Sequence, residues 1–163
     1  MNKYLIFLIF LVALIAVGCQ NAPVATVPTA PEAKPTLANS EVAIWGTYKG
    51  EYSEKQTARW KAQNLQSAEV RLVLQEDGKF RTDSQFVTDT AQSVFSASGK
   101  FILEGDKLTL IAEKYLEDGQ EVPFTPEPPA PVVFTVAEGG KQLISPAEIV
   151  ARDLSFPDRF IKE

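Results

Sequence analysis

Ser98-Gly99-Lys100-Phe101-Ile102-Leu103-Glu104-Gly105-Asp106-Lys107-Leu108-Thr109-Leu110 decides the fold. Its apolar residues alternate on both sides of Gly105-Asp106, with Phe101 and Leu103 at odd positions and Leu108 and Leu110 at even ones. Residues paired across an antiparallel ladder share a face, so paired numbers here must sum to an odd value. A two-residue Gly105-Asp106 loop supplies that sum, and glycine in first place suits a type II′ turn. The stretch therefore predicts a β-hairpin in which Phe101 faces Leu110 and Leu103 faces Leu108.

The same arithmetic works outward in both directions. Val70, Leu72, Leu74, Phe80 and Phe86 are all even-numbered, so their pairing needs an even sum. A three-residue loop, Glu76-Asp77-Gly78, places Leu74 opposite Phe80 with Gly78 left-handed. Glu138-Gly139-Gly140-Lys141 suits a two-residue turn that sets Val136 opposite Leu143. Strands are expected over 45–52, 69–75, 79–87, 94–104, 107–115, 132–138 and 141–145, with a weak last strand over 159–162. Three hairpins at short spacing predict a mainly β domain, an antiparallel meander closing into a small barrel or strongly curved sheet with one or two short helices. Ser53-Glu54-Lys55-Gln56 and Ser145-Pro146-Ala147-Glu148 fit capping boxes, the second with proline at the first helical position. Val122 to Pro131 carries five prolines and reads as a stiff loop.

Ahead of the domain, 44–163, the chain has a different character. Met1-Asn2-Lys3 precedes an apolar run, Tyr4 to Val17, too short for a bilayer core of about 20 residues. It is a secretion signal's pattern, over residues 1–18. Residues 19–43 hold Pro23, Pro28, Pro31 and Pro35 with no aromatic residue, a composition that cannot offset its own ordering entropy and reads as a flexible linker.

Composition narrows the function. Of 163 residues, 16 are Lys or Arg and 21 Asp or Glu, for a net charge of −5. That balance argues against nucleic-acid binding, which draws its affinity from basic side chains. The absence of histidine removes the usual zinc sites and every His-based triad. No Gly-x-Ser-x-Gly, Walker loop or calcium-loop spacing is present, and the acids cluster at predicted turns. The expectation is a protein without catalysis, cofactor or metal.

Two resemblances carry further expectations. Ile15-Ala16-Val17-Gly18-Cys19 resembles the lipobox of bacterial lipoproteins, with Ala16 where leucine is more usual. The resemblance implies cleavage before Cys19, lipidation of Cys19 and a membrane held through that lipid. Gln20 after the cysteine, by the same resemblance, implies the outer membrane facing the periplasm. Gly46-Thr47-Tyr48, Leu72-x-Leu74-x-x-Asp77-Gly78-x-Phe80 and the opening stretch together resemble the small lipocalin-like domains of such lipoproteins. In lipocalins the first strand carries Gly-x-Trp and a late arginine packs over that ring. Here Tyr48 takes the ring's place, and Arg152 or Arg159 are the arginines available.

Candidate sites follow from the predicted faces. Tyr48, Leu72, Leu74, Phe80, Phe95, Phe101, Leu103, Leu108, Leu110 and Phe134 point inward, as the lining of an apolar cavity or as core. A cavity would make the chain a carrier of an apolar small molecule or lipid. A filled core would make it a structural or protein-interaction module of the envelope. If residues 54–66 form one helix, Trp60 falls opposite its apolar stripe, outward between Arg59 and Lys61 as a surface contact. If they do not, Trp60 plugs one end of the barrel.

Overall fold

The computed structural model describes residues 43–124, 127–153 and 155–163. The expected signal segment, Cys19 and nearly all of the linker lie outside them, as does Pro126 of the proline loop.

Nine strands form one antiparallel sheet: β1 (Gly46–Glu51), β2 (Leu65–Leu74), β3 (Lys79–Thr88), β4 (Gln92–Glu104), β5 (Lys107–Glu117), β6 (Gln120–Glu121), β7 (Val132–Ala137), β8 (Gln142–Ile144) and β9 (Arg159–Lys162). Each strand pairs with its neighbours in sequence, β6 apart, and β1 pairs with β9 to close an eight-stranded barrel. Where the ring of strands is complete, closure removes the unpaired edges that would invite aggregation. The weak last strand is thus the closing element. β6 is the extra strand, a short hairpin on β5 that the sequence reading did not anticipate. Its signal was present: Asp118 (φ 49) and Gly119 (φ 80) form the left-handed Asp-Gly pair of a type I′ turn.

The derived registers hold. Leu74 faces Phe80, Phe101 faces Leu110, Leu103 faces Leu108 and Val136 faces Leu143. Gly105 has positive φ while Asp106 does not, as a type II′ turn requires. Gly139 and Gly140 at φ 63 and 86 make the β7–β8 connection a type I′ turn.

The barrel is lopsided. β2 to β5 run to 10, 10, 13 and 11 residues, whereas β1, β7, β8 and β9 have 6, 6, 3 and 4. Pairing with β1 stops at Arg71, and pairing with β7 at Leu110. Beyond those points the four long strands continue as an open trough. We call this end distal; the chain comes in at the proximal end, where Ala43 O accepts from Lys162 Nζ.

Two helices stand at the distal end, α1 (Glu54–Lys61) between β1 and β2 and α2 (Ala147–Arg152) between β8 and β9. Ser53 caps α1, its Oγ accepting from Gln56 N at 3.2 Å. The reciprocal half of the box is absent, because the Gln56 amide is drawn to Phe156 O at 3.0 Å and Ser53 N to Asp158 Oδ2 at 2.7 Å. The helix stops five residues short of Gln66, and Asn64 takes the left-handed conformation (φ 59) that asparagine tolerates. The second capping box does not form. Pro146 is the N-cap, and among the described residues the Ser145 Oγ has no hydrogen-bond partner. Ser145 instead continues the inward face of β8 and is buried, its N–H given to Asp158 O.

Candidate functional site

Inward alternation converges on a filled core in the closed, proximal half. Ile44, Tyr48, Val70, Leu72, Leu74, Phe80, Phe101, Leu108, Leu110, Phe134, Leu143 and Phe160 form one buried cluster. Tyr48 is 0% exposed, and its hydroxyl shares its one proton between Ile44 O and Gly140 O, each 2.6 Å away. Burial raises its pKa to about 12. Eight of the ten residues expected to line the interior are therefore packed against one another here. Leu103 is half-buried against the same cluster. It also lines a rim depression of about 170 Å³ between the Gly105 and Gly139 turns. A second depression, about 220 Å³, lies where β2 parts from β1, beside Gly50 and Ala68.

The tenth residue, Phe95, belongs to the distal trough. There β3, β4 and β5 lie side by side, and inward alternation continues from Phe80 to Phe86 and from Phe101 to Phe95. On β5 a bulge at Glu113 shifts the alternation, so that Tyr115 rather than an even-numbered residue pairs with Ala97. The three rings meet: Phe86 and Phe95 tilt together at 5.7 Å, and Phe95 stacks on Tyr115 at 6.0 Å and 19°. All three are half-buried. Among the described residues the Tyr115 hydroxyl has no hydrogen-bond partner.

Helix α1 and the segment after α2 border the trough. Trp60 is 6% exposed and packs edge-on to Tyr52 at 4.5 Å, so it is interior rather than a surface contact. The short helix is the reason: with the turn at Asn64, Trp60 folds back over the end of β1. Arg59 is also held, its guanidinium donating to Ala151 O at 2.9 Å and so tying α1 to α2. Lys61 is exposed. The Tyr52 hydroxyl donates to Ser155 O at 2.8 Å. Asp153 Oδ1 accepts from Ser155 N and Ser155 Oγ at 2.9 and 2.6 Å. Among the described residues Asp153 makes no ion pair. Burial, together with Asp153, holds the phenols of both Tyr52 and Tyr115 well above the usual tyrosine range; Asp158 adds to the first and Glu117 to the second.

The cation over the Tyr48 ring is Lys162, 5.9 Å from its centroid and directly opposite it in the β1–β9 ladder. Neither expected arginine takes that place. Arg159 pairs with Glu51 at 2.8 Å, and Arg152 is exposed at the end of α2. On the outer wall, Ile102, Ile111, Val133 and Ile144 are exposed large apolar residues, Ile102 the most at 45%. Ile102 and Val133 both flank Thr109, so they belong to one patch across β4, β5 and β7.

Sequence reasoning missed Tyr115 and Asp153. No local signal marks the bulge that turns Tyr115 inward, and Asp153 reaches the trough only through the β8–β9 crossover. Among the described residues no three acidic side chains gather as a metal site, and no helix is long and apolar enough to cross a membrane. No family model, curated protein or solved structure matches the chain.

Proposed function

We propose that the chain is a non-catalytic envelope lipoprotein, anchored through lipid on Cys19, whose recognition face is the distal trough. One observation carries the reading: the closed half of the barrel is packed solid around Tyr48, while Phe86, Phe95 and Tyr115 line the inner face of an unclosed half. A ligand held by this domain sits among those rings rather than deep in the barrel. Ala43, where the described chain begins, lies at the end of the barrel opposite the trough, bonded to Lys162.

Native mass spectrometry of the full chain after exposure to lipid extract from its host tests this. The expected result is a discrete added mass that Phe95→Arg removes and Leu103→Ser, at the far rim, leaves in place. Loss with both variants, or no adduct under gentle conditions, sinks the reading.

The exposed patch around Ile102, Ile111 and Val133 favours a second reading, a protein-interaction module with a filled core. Pull-downs comparing the native chain with Ile102→Glu distinguish it, since that substitution alters the outer wall and leaves the trough untouched.

A further inference from the structure

We infer that the distal trough binds a small organic cation, an alkyl- or quaternary ammonium group held over the Tyr115 ring beside the Asp153 carboxylate. The inference rests on the reading of the trough as the binding face and names its ligand class.

The trough's chemistry is one-sided. Its inner surface presents aromatic rings from three adjacent strands, Phe86, Phe95 and Tyr115, with small side chains between them at Ser84, Ser93 and Ala97. Aromatic faces carry negative charge density and attract cations lying within about 6 Å of the ring centroid, more strongly once water is displaced. Two carboxylates, Glu117 on β5 and Asp153 after α2, act on the Tyr115 phenol, and both push it toward its neutral form. Asp153 acts on Tyr52 in the same sense. Glu117 also stands directly opposite Phe95 in the β4–β5 ladder, so this carboxylate lies on the ring-bearing face itself.

Three basic residues of the bordering elements make no ion pair with Asp153. Arg59 is spent on the carbonyls of α2, and Lys114 pairs outward with Glu121 at 2.6 Å. Arg152, next to Asp153 in the chain, is exposed and forms no ion pair with it among the described residues. Among the described residues the half-buried Asp153 carboxylate is bonded only to Ser155, which leaves it open to a cationic partner. The rings select an alkylated cation over a hydrated metal ion, because methyl or methylene groups give up little hydration on meeting an aromatic face.

The test uses the full chain in a maltoside detergent, which carries no ammonium headgroup. Choline and its neutral isostere 3,3-dimethylbutan-1-ol are titrated separately, with NMR shifts of the Tyr115 and Phe86 rings as readout. Choline is expected to bind at least about fivefold more tightly than the alcohol. Asp153→Asn and Glu117→Gln are each expected to weaken choline by about threefold or more and to leave the alcohol unchanged. Glu117 contributes no capping bond, so its variant tests the charge even if Asp153→Asn disturbs the loop at Ser155. Equal affinity for the two compounds overturns the inference and leaves the trough as a binding face. Shifts confined to other regions, or none with either compound, overturn both.

Discussion

Lys162 Nζ lies 5.9 Å from the centroid of the Tyr48 ring, while the same amine donates to Ala43 O at 2.9 Å and its stem runs against Gly46. One side chain thereby joins the last strand to the first and to the segment entering the barrel. Lys162→Met keeps the stem and removes the charge. The expected loss is about 0.5–1 kcal/mol, the scale of a partly exposed cation–π contact, seen as a lower urea midpoint with an unchanged slope.

The tyrosines predict an alkaline limit. Tyr48 is raised to about 12, and Tyr52 and Tyr115 are raised as well, each first by burial. Folded pKa values above the free value of about 10 mean that the neutral phenols contribute stability fully present below pH 10 and lost as pH climbs toward and past 12. Absorbance titration at the tyrosinate band is expected to show these three phenols un-ionised at pH 10.5, with ionisation then coinciding with unfolding. Ordinary titration of all three in a folded chain contradicts the core geometry.

Glycine at one turn and at one ladder position is used differently. A Cβ on Gly99 would stand 2.0 Å from Ile111 O, where the bulge at Glu113 draws β5 against β4. A Cβ on Gly105 meets nothing within 4 Å, and only its positive φ penalises a side chain. Gly105→Ala is expected to cost about 1 kcal/mol. Gly99→Ala must move backbone and is expected to cost several times that, read as the difference in thermal midpoints of the two variants.

Two serines separate a working cap from an idle hydroxyl. Ser53→Ala removes the acceptor for Gln56 N and is expected to cost about 1 kcal/mol. Ser145 is buried at 7% exposure, its Oγ without a partner among the described residues. Ser145→Ala relieves that desolvation and is expected to be neutral or stabilising. A Ser145→Ala loss as large as that of Ser53→Ala points to a bonded hydroxyl and contradicts the arrangement.

The parity of apolar positions was enough to place the β2–β3, β4–β5 and β7–β8 registers, because a one-residue slip in Leu74 or Leu103 would turn a whole strand inside out. Parity fails where the ladder itself is irregular. The extra residue at Glu113 reverses the sense of β5 beyond it, which is why Tyr115 was not seen as inward. Trp60 depended on where α1 ends, and Asn64 was the available stop signal. The Asp118-Gly119 hairpin was legible but overshadowed by the proline run that follows. Lys162 over Tyr48 rests on strand closure across more than 100 residues, as the Arg159–Glu51 separation of 108 illustrates, and Asp153 acts on Tyr115 from the separate β8–β9 crossover. No window of sequence contains such a relation.

The β1–β9 seam also sets the order in which this molecule can form. Pairings from β2 through β5 join near neighbours and can assemble while the chain is still arriving, but Gly50 meets Phe160 only after nearly everything else is in place. Loop-closure entropy for that last contact is recovered late, the mark of a high-contact-order fold with slow final closure. Until residues 159–162 dock, β1 has one free edge and Tyr48 lacks the strand that covers it. A chain halted before that point remains an open sheet, still unlatched.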